Sequence, residues 1–338
     1  MRRALRLASQ MQTELLDPAD NETVLACHQV YLSAHQTDDP AGGWMSLGVF
    51  SFWLARGWDG DPREVWVTRG ANGNVTGYFL LELPEKQNRT RANLEVVVHP
   101  AARRRGLGQA LLGHAKSRAV GAGRLAMLAT AWDGSPGEAF ARKAGAVAVL
   151  PDVRRVQDLT ALPRLDELRA NAEHAAAGYS LVSWAGPVPE EHLAGVAELT
   201  TAMGDAPHSE GVESTVWDAE RVREDLNEVF AKAGLRGYCV AALHEPTGAM
   251  AALTLVFVDP GVPGLAVQGN TSVARLHRGH RLGLLVKLAM LDKLAADEPG
   301  ITRIETWNAA ANPHMIAINE ALGYQVLPPT VMEWELKL

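Results

Sequence analysis

The sequence predicts an α/β protein of the α+β kind, built as two similar units in tandem, and three observations predict it. A β-branched run ended by a proline, a basic turn and an amphipathic helix follow one another in residues 95–115, EVVVHPAARRRGLGQALLGHA. A second run, turn and helix occurs in residues 271–289, TSVARLHRGHRLGLLVKLA. The two keep a constant register: Val98 and Val273, Arg103 and Arg278, Leu107 and Leu282, and Gly108 and Gly283 each lie 175 positions apart. The same offset joins Gly73 to Gly248 upstream and Trp132 to Trp307 downstream, as an internal duplication would.

Taken in order, ALRLASQMQ alternates and reads as a first strand. Asp17 or Asn21 then caps a helix to about Ala34, with Val24, Leu25, Cys27, Val30 and Tyr31 at helical spacing. The turn-rich HQTDDPAGGW leads to an apolar stretch at residues 50–54. Residues 64–83 read as two strands around GANGN, a turn whose residues tolerate positive φ. The strand of Val96, Val97 and Val98 is stopped by Pro100, which cannot donate to a ladder. After the turn, Leu107, Leu111 and Ala115 recur every four residues on one helical face. A strand at 125–132, a short helix at 138–144 ended by Gly145, and strands at 147–149 and 153–159 complete the first unit. The alanine-rich, charged PRLDELRANAEHAAA reads as a linking helix. The second unit repeats the plan: strand 179–184, helix 190–203, an acidic segment, helix 219–233, a hairpin at 238–258 and the second basic turn with its helix. Strand 302–307, helix 313–322 and strands at 324–327 and 331–336 close it. The expected boundaries are 1–160, a linker at 161–178, and 179–338.

The two basic turns carry the chemistry. Arg103, Arg104 and Arg105 precede Gly106, Leu107 and Gly108, and Arg278, Gly279, His280 and Arg281 precede Leu282 and Gly283. The first N–H groups of a helix have no internal partner, and arginines beside them make a seat for a diphosphate. No Gly-Lys-Ser/Thr follows either turn, which sets both apart from a Walker loop, and the first glycine of a dinucleotide fingerprint is missing.

The order strand, Arg-x-x-Gly-x-Gly, amphipathic helix resembles the acyl-CoA loop of the GCN5-related N-acetyltransferase (GNAT) superfamily, and the duplication resembles its tandem two-domain members. The resemblance implies two GNAT folds, each a mixed, mostly antiparallel sheet flanked by helices. It implies acetyl-CoA as cofactor and transfer of its acetyl group to a primary amine of a small molecule or peptide. It places the acyl group where two parallel strands part, near Val96 and Val98 in the first unit and Thr271 and Val273 in the second. Asn308, Asn312 and Asn319 are then spaced to hold the amides of the cofactor arm, and Asn312 also suits a helix cap before Pro313. An alkyl ammonium must lose its proton before it attacks, so a carboxylate is required. Glu95 is the candidate in the first unit; Asn270 stands at the matching place in the second, where Asp205 and Glu213, with Glu210, form the pool. Asp38 and Asp39 lie in the comparable segment of the first unit. The family's tyrosine acid falls on Ala141 and Asn319, neither of which can supply the proton to the leaving thiolate. Asn308, Asn312 and Asn319 with the acidic segment favour the second unit as the catalytic one. Other readings of the same residues are an acyl-CoA-binding sensor and an acetyltransferase acting on protein lysines or N-termini.

Composition narrows the partners. Net charge is −7 over 338 residues, which argues against nucleic acid, since that demands an extended positive footprint. No apolar run reaches membrane-span length, and MRRALRLASQ lacks the apolar core of a secretory signal. Cys27 and Cys239 offer neither a disulfide framework nor metal-ligand spacing, so no metal is expected. A cytoplasmic monomer or homodimer is the expectation. His114 and Met290 read as packing residues, and His277 and His280 as donors beside the second turn.

Overall fold

The computed structural model describes residues 13–57, 60–205, 213–309 and 312–338, so the expected strand ALRLASQMQ lies outside the described residues. In chain order the principal elements begin with β1 (Thr13–Leu15), α1 (Asn21–Asp38), α2 (Leu47–Ala55), β2 (Arg63–Arg69), β3 (Val75–Glu82) and β4 (Arg91–Val98). The first collar helix α3 (Leu107–Gly121), β5 (Ala126–Trp132), α4 (Pro136–Ala144) and β6 (Val147–Asp158) follow. Then come α5 (Asp166–Ala175), β7 (Tyr179–Ala185), α6 (Leu193–Thr201), a helical run α7 at 219–232 that passes through one π turn, β8 (Arg236–His244), β9 (Met250–Val258) and β10 (Leu265–Val273). The second collar helix α8 (Leu282–Asp297), β11 (Arg303–Ala309), α9 (Pro313–Ala321), β12 (Gln325–Val326) and β13 (Val331–Lys337) end the series.

The chain folds as two compact units, residues 1–151 with 329–338, and residues 152–328. That partition differs from the expected 1–160 and 179–338, because the closing strands are exchanged. β13 hydrogen-bonds antiparallel to β5 from Val331↔Trp132 to Lys337↔Ala126, completing the first unit's sheet. The 152–158 part of β6 pairs antiparallel with β11 in the second unit, Arg303↔Asp158 to Ala309↔Asp152. The expected linker helix is also part of a core: Ala172 of α5 is fully buried in the cluster that α8 forms with β8, β9 and β10, and Arg169 pairs with Asp292 at 2.8 Å.

Each unit is a mixed sheet with one parallel pair and helices on both faces. In the first, β1, β2, β3 and β4 run antiparallel in sequence order and β4 lies parallel to β5. Strand alternation sorts the side chains. Ala92, Leu94, Val96 and Val98 face α3, whereas Val97 joins Tyr78, Leu80 and Phe50 under α1 and α2. In the second unit, β7, β8, β9 and β10 are antiparallel and β10 lies parallel to β11. One face packs on α5 and α8, the other on α6. His114 and Met290 pack as expected: the His114 ring lies 4.3 Å from that of Trp66, and Met290 is buried in the α8 core. No helix among the described residues is long and apolar enough to cross a membrane.

Candidate active site

The two basic turns have the same backbone shape. Arg103 and Arg278 are extended; the next residues, Arg104 and Gly279, have φ of 62° and 93°; and the helix caps Gly106 and Arg281 have φ of 89° and 54°. Each turn thus holds two left-handed residues and fills one with glycine and the other with arginine, in opposite order. Arg281 thus takes up the left-handed conformation that Gly106 has at the matching place in the first turn. Gly108 and Gly283, in the first turns of their helices, face Phe140 and Ile318, both at 3.5 Å from where a Cβ would lie.

The surroundings of the two turns differ. Arg103 donates to both oxygens of Asp38 at 2.7 Å and, through Nε, to the Val98 carbonyl at 3.1 Å. Its guanidinium is therefore committed to the protein's own carboxylate. Arg104 and Arg105 are exposed, Leu107 is buried, and Val96, Val98 and Phe140 pack together under α3. The second turn opens onto a cavity of ≈ 810 Å³ contained in its unit. Thr271, Val273, Arg278, Gly279, Arg281, Leu282, Gly283, Asn308, Asn312 and Asn319 all line it. His280 does not; its Nδ1 lies 3.2 Å from the Ala175 carbonyl. His277 lines the cavity and meets the Tyr179 hydroxyl at 2.9 Å.

The cavity exists because β10 and β11 part. They are paired as far as Val267↔Glu305, and the next residues of each, Gln268 and Thr306, line the space between them. At the same point the β10 ladder with β9 is broken by a bulge between Gln268 and Thr271, absent from the corresponding β3–β4 ladder. A bulge leaves backbone groups out of the ladder and re-aims the strand. Gly269 permits it, since a Cβ there would fall 2.6 Å from the Phe257 ring. A glycine inside a strand is a bulge signal that the sequence already carried. The far wall is α9, capped by Asn312, whose Oδ1 accepts from the Met315 N–H at 3.2 Å. Asn319 is fully buried and donates to Asn308 Oδ1 at 2.7 Å, leaving its own Oδ1 without a protein partner.

Beneath the bulge runs a polar network that the sequence reading missed. Lys287 Nζ donates to Gln268 Oε1 at 3.0 Å; Gln268 Nε2 donates to Thr254 Oγ1 at 2.9 Å and to the Leu255 carbonyl at 2.6 Å. Thr254 and Thr271 share a hydroxyl bond of 2.7 Å. Lys287 is 3% exposed, and burial pulls its ammonium down to about 7. The signal was a single lysine within LGLLVKLAML, a helix segment apolar on every side.

Of the candidate bases, Glu95 sits on the β4 face toward α1 and α2, half-buried, and desolvation raises its carboxyl to about 7 against a smaller pull from Arg63. The unfolded carboxyl ionises near ~4.3, so between these values the folded state holds more protons and stability falls as pH rises. Glu95→Gln removes that dependence. It should match the parent at pH 4 and exceed it by about 1–2 kcal/mol at pH 8, as thermal melts at the two pH values will read. Asp205 ends the turn Ala202–Asp205, whose Ala202 and Met203 line the second cavity, and Glu213 lies exposed in the loop beyond. Glu210 lies outside the described residues. Burial pushes the Cys27 thiol up to about 12 and raises that of Cys239 as well, so neither is a nucleophile at neutral pH.

Residues 25–146 match the Acetyltransferase (GNAT) family. Over 265 residues the chain is 27% identical to a mycothiol acetyltransferase of Salinispora tropica, covering 78% of each. Its fold is similar to that of a tandem GNAT protein from the clavulanic acid biosynthesis pathway, with a TM-score of 0.77 and 29% identity over 97% of this chain and 98% of that one. A GCN5-related N-acetyltransferase from Sphaerobacter thermophilus shares the fold at a TM-score of 0.66 and 16% identity, over 97% and 95% of the two chains. Residues 25–146 thus match a GNAT domain, and with its parted strands and two basic-turn helices the whole chain is similar in fold to a tandem GNAT protein.

Proposed function

We propose that the protein transfers an acyl group, acetyl from acetyl-CoA being the expected one, to a primary amine of a small molecule or peptide, and that the donor is held in the second unit. The observation that carries this is the cavity itself, which joins the start of α8, the parted strands and the asparagine wall in one unit. The residues present fit the donor. Arg278 and Arg281 with the helix start suit a diphosphate, and the unpaired Oδ1 of buried Asn319 suits an amide N–H of the arm. When bound, acyl-CoA supplies a thioester whose carbonyl accepts the amine and whose sulfur leaves.

In this reading, the backbone N–H groups of the bulged strand polarise the carbonyl as preorganised donors do. Asp205 or Glu213 takes the ammonium proton from the side of α6. Glu95 would play that part only in the first unit, where Arg103 is tied to Asp38; that tie supports a structural role for the first unit. Localisation in the cytoplasm is part of the same proposal.

The test is to mix the protein with acetyl-CoA and a panel of amines while following free thiol, and to map hydrogen exchange with acetyl-CoA alone. Amine-dependent thiol release with new protection at residues 282–285 is expected. Protection without release under any amine would replace the enzyme by a sensor, and protection confined to residues 107–110 would move the site to the first unit.

A further inference from the structure

Two of the buried guanidinium groups among the described residues sit on carboxylates. Arg63 pairs with Glu82 and Arg221 with Asp225, all of them buried or nearly so. Lys287 is as buried, yet its partners among the described residues are the Gln268 amide oxygen and the Tyr324 ring, 4.9 Å from Nζ. Both Gln268 amide hydrogens are spent on Thr254 and Leu255, so its oxygen is held toward the lysine and cannot turn away. The ammonium has donors to spare, and it lines the cavity. A buried cation with no anion in the resting protein is poorly suited to the ground state. It is well suited to a negative charge that appears during a reaction.

Its position says which charge that is. α8 runs back along β10: Gly283 lies against Val273, and one turn deeper Lys287 lies against Gln268, where β10 and β11 part. The helix start, Asn312 and Asn319 of α9 and Lys287 are on one face of the sheet, while α6, which leads into the turn Ala202–Asp205, packs on the other. A thioester entering from the α8 side presents its sulfur to that side and its carbonyl carbon to an amine from the other. Asn319 stands where the family's acid would be, donates one amide hydrogen to Asn308, and as a carboxamide has no proton acidic enough to give to a thiolate.

We propose that Lys287 is the catalytic acid of the second unit, donating an ammonium proton to the departing sulfur. The inference rests on the acyl-CoA reading above. In the step, the amine nitrogen forms a bond to the carbonyl carbon and the carbon–sulfur bond breaks. The electron pair leaves on sulfur and takes the proton from Lys287 Nζ. Neutral Lys287 is reprotonated from solvent, and the amine's surplus proton goes to the carboxylate on the opposite face. A lysine brought down to about 7 by burial is acid enough to protonate a thiolate, whose own conjugate acid ionises near ~8.5.

Lys287→Met tests this, since an apolar chain of similar length suits a buried site. Two readouts are needed. The first needs no turnover: free CoA bound to the protein is titrated by its thiolate absorbance. In the parent, the neighbouring ammonium should lower the thiol's ionisation by at least about one pH unit relative to CoA in solution, and in the variant that lowering should vanish. The second is the pH profile under saturating acetyl-CoA and amine. The parent's kcat should fall on the alkaline side as Lys287 loses its proton; the variant should be slower by about 10²–10³-fold and lack that limb. Equal thiol ionisation in parent and variant, or a variant that keeps the alkaline limb, overturns the proposal. Absence of CoA binding to the parent would instead remove the acyl-CoA reading beneath it.

Discussion

Gly283→Asp is expected to weaken acetyl-CoA binding in the second unit by about 100-fold or more. Gly283 is the second residue of α8 and lines the cavity mouth. A Cβ at that place lies 3.5 Å from both Ile318 Cδ1 and Val273 Cγ2, an ordinary contact, so the fold accepts a small side chain. An aspartate in the first turn is favourable to the helix by about half a kcal/mol. The same carboxylate next to a bound diphosphate is unfavourable by roughly 3 kcal/mol after screening, and each 1.4 kcal/mol is a decade in affinity. Calorimetry reads the affinity, and the loss of ligand-induced protection at residues 282–285 locates it. Arg103→Ala is the contrasting change. It should leave acetyl-CoA affinity within about threefold, yet lower stability by about 1–2 kcal/mol, because Asp38 is left half-buried without its bidentate partner. Unchanged affinity in Gly283→Asp would show that the start of α8 does not hold the donor.

Deleting residues 329–338 should unfold the first unit and spare the second. Those residues carry β13, whose Trp334 is 2% exposed and stacks under the Arg142 guanidinium at 4.9 Å, and whose Glu335 pairs with Arg91 at 3.3 Å. Burial of a tryptophan and a leucine of that size contributes roughly 5 kcal/mol. A domain's whole stability is typically about 5–15 kcal/mol. Removal also bares the edge of β5 along its full pairing register. Hydrogen exchange should show β3, β4 and β5 losing protection while β8, β9 and β10 keep theirs. Equal loss in both sets, or none, would contradict the assignment of β13 to the first unit.

The offset of 175 identified both collar turns because the contacts of a turn are local: a proline, an arginine, a glycine and a four-residue helical repeat all act within about twenty residues. Asn312 was legible as a helix cap for the same reason, since cap spacing is a short-range signal, whereas Asn308 and Asn319 were singled out by the resemblance to the family. The strand exchange was not readable. Alternation in VMEWELK states that a strand forms and says nothing of its partner, here some two hundred positions away. The Arg103–Asp38 pair spans 65 residues and is a tertiary choice. Lys287 carries no motif, and a lysine on a helix ordinarily faces solvent; its burial beside the fully buried Val286 and Leu288 is a tertiary outcome.

The exchange of β6 and β13 has a consequence for synthesis. The ribosome makes β13 about two hundred residues after β5, a wait of roughly ten to forty seconds at ordinary elongation rates. Until then the first half emerges with an open flank on β5, a template for any other strand in a crowded cell. A nascent chain of this protein therefore needs β13 in place before its first unit is safe from self-association, whatever the intrinsic speed of its helices.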